Sequence, residues 1–292
     1  MQSSYPFLSV DYYSELADSR VFKLGDKISG NIIFIKTELL NNYIPELLLL
    51  NHIFTLITAC NDDMCVPYFT YPPQDLKIKE LHDSLLNCPL LNKWYTKNAS
   101  ILHPKVNALP LGPKMQWRTT EFYGEPKYHT LELYNKYYLH PKDNFKSEKR
   151  NLLYINMDNT TTNTPFFKEH TGIRNSSIIL LKNNGFIIQE KTSPENYACE
   201  LLTYKFCISP PGRGIDAHRT WEAIMAGVIP ICISSSLDYI YRNLPVLIVD
   251  NYSIITPSFL DEKYKVLRSY DYDYSIIYGD YWKNIIRSSN LV

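Results

Sequence analysis

Glycine is scarce in this chain, with 10 residues in 292. Collagen-like and low-complexity architectures need glycine or proline in bulk and are excluded; 45% apolar with 21% charged residues is an ordinary globular balance. An excess of either charge is also missing. Thirty basic and thirty acidic side chains cancel to a formal net charge of zero, which argues against nucleic acid as the main partner, because binding a phosphate backbone needs a basic excess. A local basic pocket is still compatible with that balance. No stretch reaches the ~20 consecutive apolar residues of a membrane span. The opening MQSSYPFLSVDYYSELADSR has neither the basic start nor the apolar core of a signal peptide. The six cysteines (Cys60, Cys65, Cys88, Cys199, Cys207 and Cys232) make no Cys-x-x-Cys pair and no Cys/His zinc spacing. The expectation is a soluble, reduced, cytoplasmic protein. No His-Glu-x-x-His, Gly-x-Ser-x-Gly or Walker sequence occurs, which removes the simplest zinc-hydrolase, serine-hydrolase and ATPase readings.

What is present in quantity is tyrosine, 24 residues. A phenol has an apolar body and a polar tip, so most of these are expected half-buried on strands and helices, with some lining a ligand cleft. Short apolar runs alternate with longer helical patterns. GNIIFIK (30–36), FTLITAC (54–60) and VNALPLG (106–112) read as strands of a first series, with an amphipathic helix over 37–50. The charged stretch PKDNFKSEKR (141–150) reads as a solvated connection. NLLYINM (151–157), GFIIQEK (185–191), YKFCISP (204–210), VIPICIS (228–234) and VLIVD (246–250) form a second series. Strands alternating with helices imply parallel sheets. The expected architecture is α/β, with two facing Rossmann-type doubly wound domains over 1–145 and 151–275 and a cleft between them. A C-terminal helix over 276–292 is expected to pack back across both. Ligands of such sheets bind at the carboxyl ends of the strands.

The most informative stretch is Lys205 to Thr256. A buried strand (Phe206 to Ser209) breaks at Pro210-Pro211, passes through Gly212-Arg213-Gly214 and enters a helix near Asp216, the expected N-cap, with Gly227 as the expected residue after its C-cap. Ala217, Trp221, Ile224 and Met225 share the face expected to pack on the sheet, while His218, Arg219 and Glu222 lie opposite. A strand, a glycine turn and a helix N-terminus together make an anion site, because backbone N–H groups and the helix dipole point at the ligand. Arg213 and Arg219 add positive charge. Glu222, one turn in, can accept hydrogen bonds from two neighbouring hydroxyls such as those of a ribose. The geometry suits a nucleoside diphosphate with a sugar attached.

The pattern Pro-Gly-x-Gly-x-Asp-x-His-Arg-x-Trp-Glu-Ala-x-x-x-Gly-x-Ile-Pro (211–230), followed by Leu237-Asp238 and Leu244-Pro245-Val246, resembles the donor-binding half of exostosin-like glycosyltransferases over about fifty residues. That resemblance implies the two-domain GT-B fold and an inverting, metal-independent transfer from a nucleoside-diphosphate sugar to a hydroxyl of a glycan or glycoprotein acceptor. It implies UDP as the carrier, UDP-xylose as the first donor to consider, Arg219 at the diphosphate and Glu222 at the ribose. The donor set also takes in Ser209, Gly212, Arg213, Gly214, His218 and Arg174, the last placed in a loop before a helical segment (175–184). No cofactor and no metal are expected, and no nucleic acid or membrane span. Many exostosin-like proteins carry an N-terminal membrane anchor; this chain shows none, which favours a soluble version of viral or microbial type.

The amino-terminal half resembles the acceptor side of the same group more weakly, in FIKTELL (34–40), ITACNDDMCVPY (57–68) and WYTKNASILHPKVNALPLG (94–112). Asn61, Asp62 and Asp63 directly follow an apolar strand, which puts a carboxylate at its carboxyl end. An inverting transfer needs one general base for the acceptor hydroxyl; Asp63 is the first candidate, then Asp62, then Glu38. Glu38 and Asn61 are also candidate acceptor contacts, and Asn-Asp-Asp is equally ordinary turn chemistry. Asp271-Tyr-Asp273 matches the Asp-x-Asp of metal-using glycosyltransferases but lies in a tyrosine-rich tail. The rival readings are a GDP-fucose-type fucosyltransferase of the same fold and a nucleotide- or glycan-binding module without catalysis.

Overall fold

Phe54–Ala59 is apolar or β-branched throughout and buried at all six positions, as a strand covered on both faces of a parallel sheet must be. In the computed structural model, which describes residues 6–59, 64–68, 76–114, 131–156 and 168–289, that strand is central to a first parallel sheet. The elements of this half are α1 (Val10–Glu15), β1 (Ser19–Val21), β2 (Ile32–Lys36), α2 (Leu40–Leu47), β3 (Phe54–Ala59), α3 (Leu76–Asn87), β4 (Leu91–Lys97) and β5 (Val106–Leu109). The rest follows as α4 (Leu131–Tyr137), α5 (Pro141–Lys146), β6 (Asn151–Tyr154), α6 (Lys168–Asn183), α7 (Pro194–Leu201), β7 (Tyr204–Ile208), α8 (His218–Met225), β8 (Ile229–Ile233), β9 (Leu247–Val249), α9 (Pro257–Arg268) and α10 (Gly279–Ser288).

The sheets are parallel and helix-flanked, as the alternation predicts. Their strand order differs from the expectation. Among the described residues the first sheet runs β1-β2-β3-β4-β5 and the second β6-β7-β8-β9. Each follows chain order, without the reversal that defines a doubly wound sheet. Both faces of the first sheet are nevertheless covered. Ile33, Ile35, Leu56 and Trp94 join Leu40, Tyr43, Ile44 and Leu47 of α2, whose spacing makes one helical face. The alternate residues Ile32, Phe34, Ile57 and Tyr95 pack with Tyr12 and Tyr13 of α1 and with Trp282 and Ile286 of α10. Helices from the two ends of the chain thus supply the layer that a reversed strand order would otherwise supply. In the second sheet α7 packs on β7, α8 on β8 and α9 against β6.

Two segments depart from their sequence reading. GFIIQEK is no strand: it meets the neighbouring chain through Gln189 N–H to the Ile155 carbonyl at 2.9 Å without forming a ladder, and Ile187 is 78% exposed. Phe186 and Ile188 pack partly against the core instead. PKDNFKSEKR is not a solvated connection either. Pro141 opens α5 and Phe145 is buried, while Lys149 Nζ donates to the carbonyls of Leu202 and Ala226 at 2.8 and 3.0 Å. These are the C-caps of α7 and α8, where orphan carbonyls and the helix dipole favour a cation.

His82, fully buried on α3, ties down the chain just beyond the Asn61–Asp63 stretch. Its Nδ1 accepts the Tyr68 N–H at 2.8 Å and its Nε2 pairs with Asn41 Oδ1 at 2.9 Å. The neutral ring with its proton on Nε2 satisfies both; a second proton on Nδ1 would oppose the Tyr68 donor. Burial, only partly offset by Asp83, pulls its pKa from 6.5 down to about 4. The unfolded chain therefore takes up this proton first. The His82 contribution is full above pH 6.5 and is lost as pH falls through about 4. Its loss costs about 3 kcal/mol at about 1.4 kcal/mol per pKa unit. Urea midpoints measured from pH 7 to 4.5 should fall more steeply in the wild type than in His82→Gln; parallel slopes would contradict this.

Candidate functional site

The chain leaves β7 at Ser209, turns through Pro210 to Gly214 and enters α8 at His218. Within the turn the Gly212 N–H bonds the Gly214 carbonyl at 3.1 Å. α8 begins one residue later than the sequence suggests. Its N-cap is Ala217, which offers no side-chain acceptor to the first-turn N–H groups, whereas Ser9, Ser193 and Thr256 cap α1, α7 and α9. At the far end Gly227 takes φ +66° as expected, and a Cβ there would lie 2.1 Å from the Phe145 nitrogen. Trp221, Ile224 and Met225 are buried as the helical spacing requires.

Asp216 is withdrawn from capping because it is buried and holds four donors. Oδ2 accepts from the Leu111 N–H and Trp221 Nε1 at 2.8 and 2.7 Å. Oδ1 accepts from the Ala217 N–H and Tyr241 Oη at 2.8 and 3.1 Å. Burial pushes its carboxyl up, against the pull of these donors. The Asp216 N–H itself bonds Asn98 Oδ1 at 2.9 Å, and a Cβ on Gly214 would lie 2.2 Å from the same Asn98 side chain, so the close approach requires glycine. His218 Nδ1 bonds the Gly112 carbonyl at 2.8 Å, which places a proton on Nδ1. The loops after β4 and β5 thereby meet the turn after β7, and the carboxyl ends of both sheets come together, where α/β sheets bind ligands.

Arg174 reaches the same turn. It lies within α6, not in a loop, and its Nε donates to the Pro211 carbonyl at 3.1 Å; its Nη2 is 3.4 Å from where a Gly212 Cβ would be. Arg213 is exposed in the turn. Arg219 bonds the Asn156 carbonyl after β6 and lies over the Tyr197 ring, 5.7 Å from its centroid. Ser209 is buried, with its Oγ 2.8 Å from Thr220 Oγ1.

Glu222 is buried at 6% exposure. Oε1 accepts from the Lys114 N–H at 3.1 Å and Tyr134 Oη at 3.3 Å, and Oε2 from Tyr197 Oη at 3.0 Å. Burial first, then the Glu222 charge, hold both phenols far above the ordinary tyrosine range, so they stay neutral donors. A carboxylate has about four acceptor positions. Two ribose hydroxyls could bond here only by displacing at least one present donor. Other phenols meet carboxylates in the same way: Tyr241 on Asp216, Tyr154 on Glu200 and the half-buried Tyr68 on Asp83.

The remaining candidates fall elsewhere. Glu38 follows β2 and pairs with Lys36 at 3.9 Å. Asn61, Asp62 and Asp63 lie outside the described residues, just beyond the end of β3. Asp271 pairs with Lys142 at 3.1 Å, and Asp273 accepts from the Ser275 N–H. Sequence reasoning missed Asn98, Tyr134 and Tyr197 as supports of the turn and of Glu222; only the tyrosine count hinted at the latter two.

No protein-family model matches the chain, the exostosin-like family included, and no curated protein matches it by sequence. Among solved structures it resembles, weakly, the crystal structure of TarM, a GT-B-type glycosyltransferase, at 9% identity and a TM-score of 0.34. The likeness covers 89% of this chain and 51% of that one, so the chain spans about half the length of TarM. A likeness of that size carries no functional conclusion. No helix among the described residues is long and apolar enough to cross a membrane.

Proposed function

We propose that the chain is an inverting, metal-independent glycosyltransferase of GT-B-like organisation. It would move a sugar from a nucleoside-diphosphate sugar to a glycan hydroxyl, with UDP as the carrier and UDP-xylose the first donor to test. The observation that carries this reading is the meeting of Arg174 from α6 with the Gly212–Gly214 turn at the uncapped head of α8. Backbone N–H groups, a helix N-terminus and arginines on one turn form an anion cradle. The diphosphate would rest on the turn between Arg174, Arg213 and Arg219. The nucleoside would extend towards Glu222, with one tyrosine giving up its bond to a ribose hydroxyl.

In the transfer, the base removes the proton of the acceptor hydroxyl and that oxygen attacks the anomeric carbon. The bond to the diphosphate breaks on the opposite side, and its electron pair goes to the leaving oxygen, where the turn and the arginines stabilise the charge. Asp63, then Asp62, are the proposed bases, with Glu38 and Asn61 on the acceptor side. The experiment is an incubation of the chain with UDP- and GDP-linked sugars and glycan acceptors, reading free diphosphate and product configuration. Release that depends on acceptor, inverts the anomeric centre and persists in excess chelator is expected. Saturable nucleotide binding without turnover of any donor would favour the binding-module reading instead, and turnover abolished by chelator would turn attention to Asp271 and Asp273.

A further inference from the structure

A cavity of about 210 Å³ opens beside the glycine turn, at the carboxyl ends of β7 and β8. Most residues on its wall carry a side-chain hydroxyl, among them Ser100, Ser209, Thr220 and Ser234 to Ser236, while Pro211, Ile215, Cys232 and Ile233 help make its exposed surface more apolar than polar. None of the described lining residues carries a charge. The volume is enough for one sugar ring.

Two features give the cavity a direction and a chemistry. Pro211 lines it and is also the residue whose carbonyl holds Arg174, so a group attached to a phosphate on this turn would fall into it. Arg219 and Glu222, by contrast, face Asn156, Tyr134 and Tyr197 on another side of α8. Ser234 Oγ donates to Asp238 Oδ2 at 2.7 Å and Ser236 Oγ to the Ala99 carbonyl at 2.6 Å. A hydroxyl that has given its proton to the protein presents lone pairs to its other neighbours. At Ser234 and Ser236 the wall therefore accepts hydrogen bonds from sugar hydroxyls, and none of its described side chains offers a carboxylate an opposite charge. A charge desolvated without a partner is strongly disfavoured.

We infer that this cavity receives the transferred sugar and selects a neutral monosaccharide against a uronic acid. The inference rests on the nucleotide-sugar reading and names the donor class that it leaves open. Calorimetric titration of the full chain with UDP, UDP-glucose, UDP-xylose and UDP-glucuronate tests it, in the wild type and in Ser235→Lys, a half-buried position on the cavity wall. The wild type is expected to bind a neutral donor at least about tenfold more tightly than UDP-glucuronate. Ser235→Lys should narrow or reverse that ratio while keeping its affinity for UDP. Equal or tighter binding of UDP-glucuronate by the wild type overturns the inference and leaves the nucleotide reading standing, as does a ratio unmoved by Ser235→Lys while UDP still binds. Failure of the wild type to bind UDP at all overturns both.

Discussion

Asp216→Ala should lower the free energy of unfolding by about 3–5 kcal/mol, a large part of the roughly 5–15 kcal/mol that holds a domain together. The carboxylate accepts from the Leu111 N–H, Trp221 Nε1, the Ala217 N–H and Tyr241 Oη, and at 2% exposure no water replaces it. Each buried donor left unpaired costs about 1–3 kcal/mol, and the collapse of the alanine site recovers only part of that. The loss joins two places, because Leu111 follows β5 while Trp221 lies in α8. Asp216→Asn keeps one acceptor oxygen but turns an NH₂ group towards two of the donors, so it should fall between alanine and wild type. Urea unfolding at constant m-value measures the effect. A loss below about 1 kcal/mol in the alanine variant would mean that these donors find other partners.

Arg219→Ala is expected to reduce the rate of diphosphate release by about 10²–10³, the range seen when one preorganised contact to developing charge is removed. The guanidinium is held over Tyr197 and by the Asn156 carbonyl, so its position is set before any ligand arrives. Arg219→Lys should recover little of the loss, since an ammonium reproduces neither the stacking nor the planar fork of donors. Stability should change far less than rate. An Arg219→Ala variant that keeps wild-type turnover would remove this residue from the proposed charge stabilisation, whatever the fate of the turn.

The strands were legible where apolar runs are long or bounded by turns, as in β2, β3 and β7 to β9. β1 was not, because three residues with Arg20 exposed between two buried neighbours carry no usable period. GFIIQEK shows the converse: Phe186, Ile187 and Ile188 look like a strand, but the segment has no place in the sheet. The glycine turn and the short helix after it were legible because glycine, proline and the apolar face of α8 are local signals. Their partners were not. Arg174 meets Pro211 across 37 positions, Leu111 meets Asp216 across 105, and Tyr134 meets Glu222 across 88. Such pairings follow from how the sheets abut, which no local pattern encodes. The same holds for Glu222, whose place opposite the apolar face of α8 suggests openness, whereas Tyr134 and Tyr197 cover it.

The central claim is that the turn after β7 holds the diphosphate of a nucleotide. Titration of UDP into the wild type and into Arg174→Ala tests it without any knowledge of the acceptor. Arg174 meets Pro211 only through the fold. Saturable binding by the wild type, weakened about tenfold or more in Arg174→Ala with the unfolding midpoint preserved, is the predicted result. Binding of equal strength in both, or none in the wild type, would contradict it.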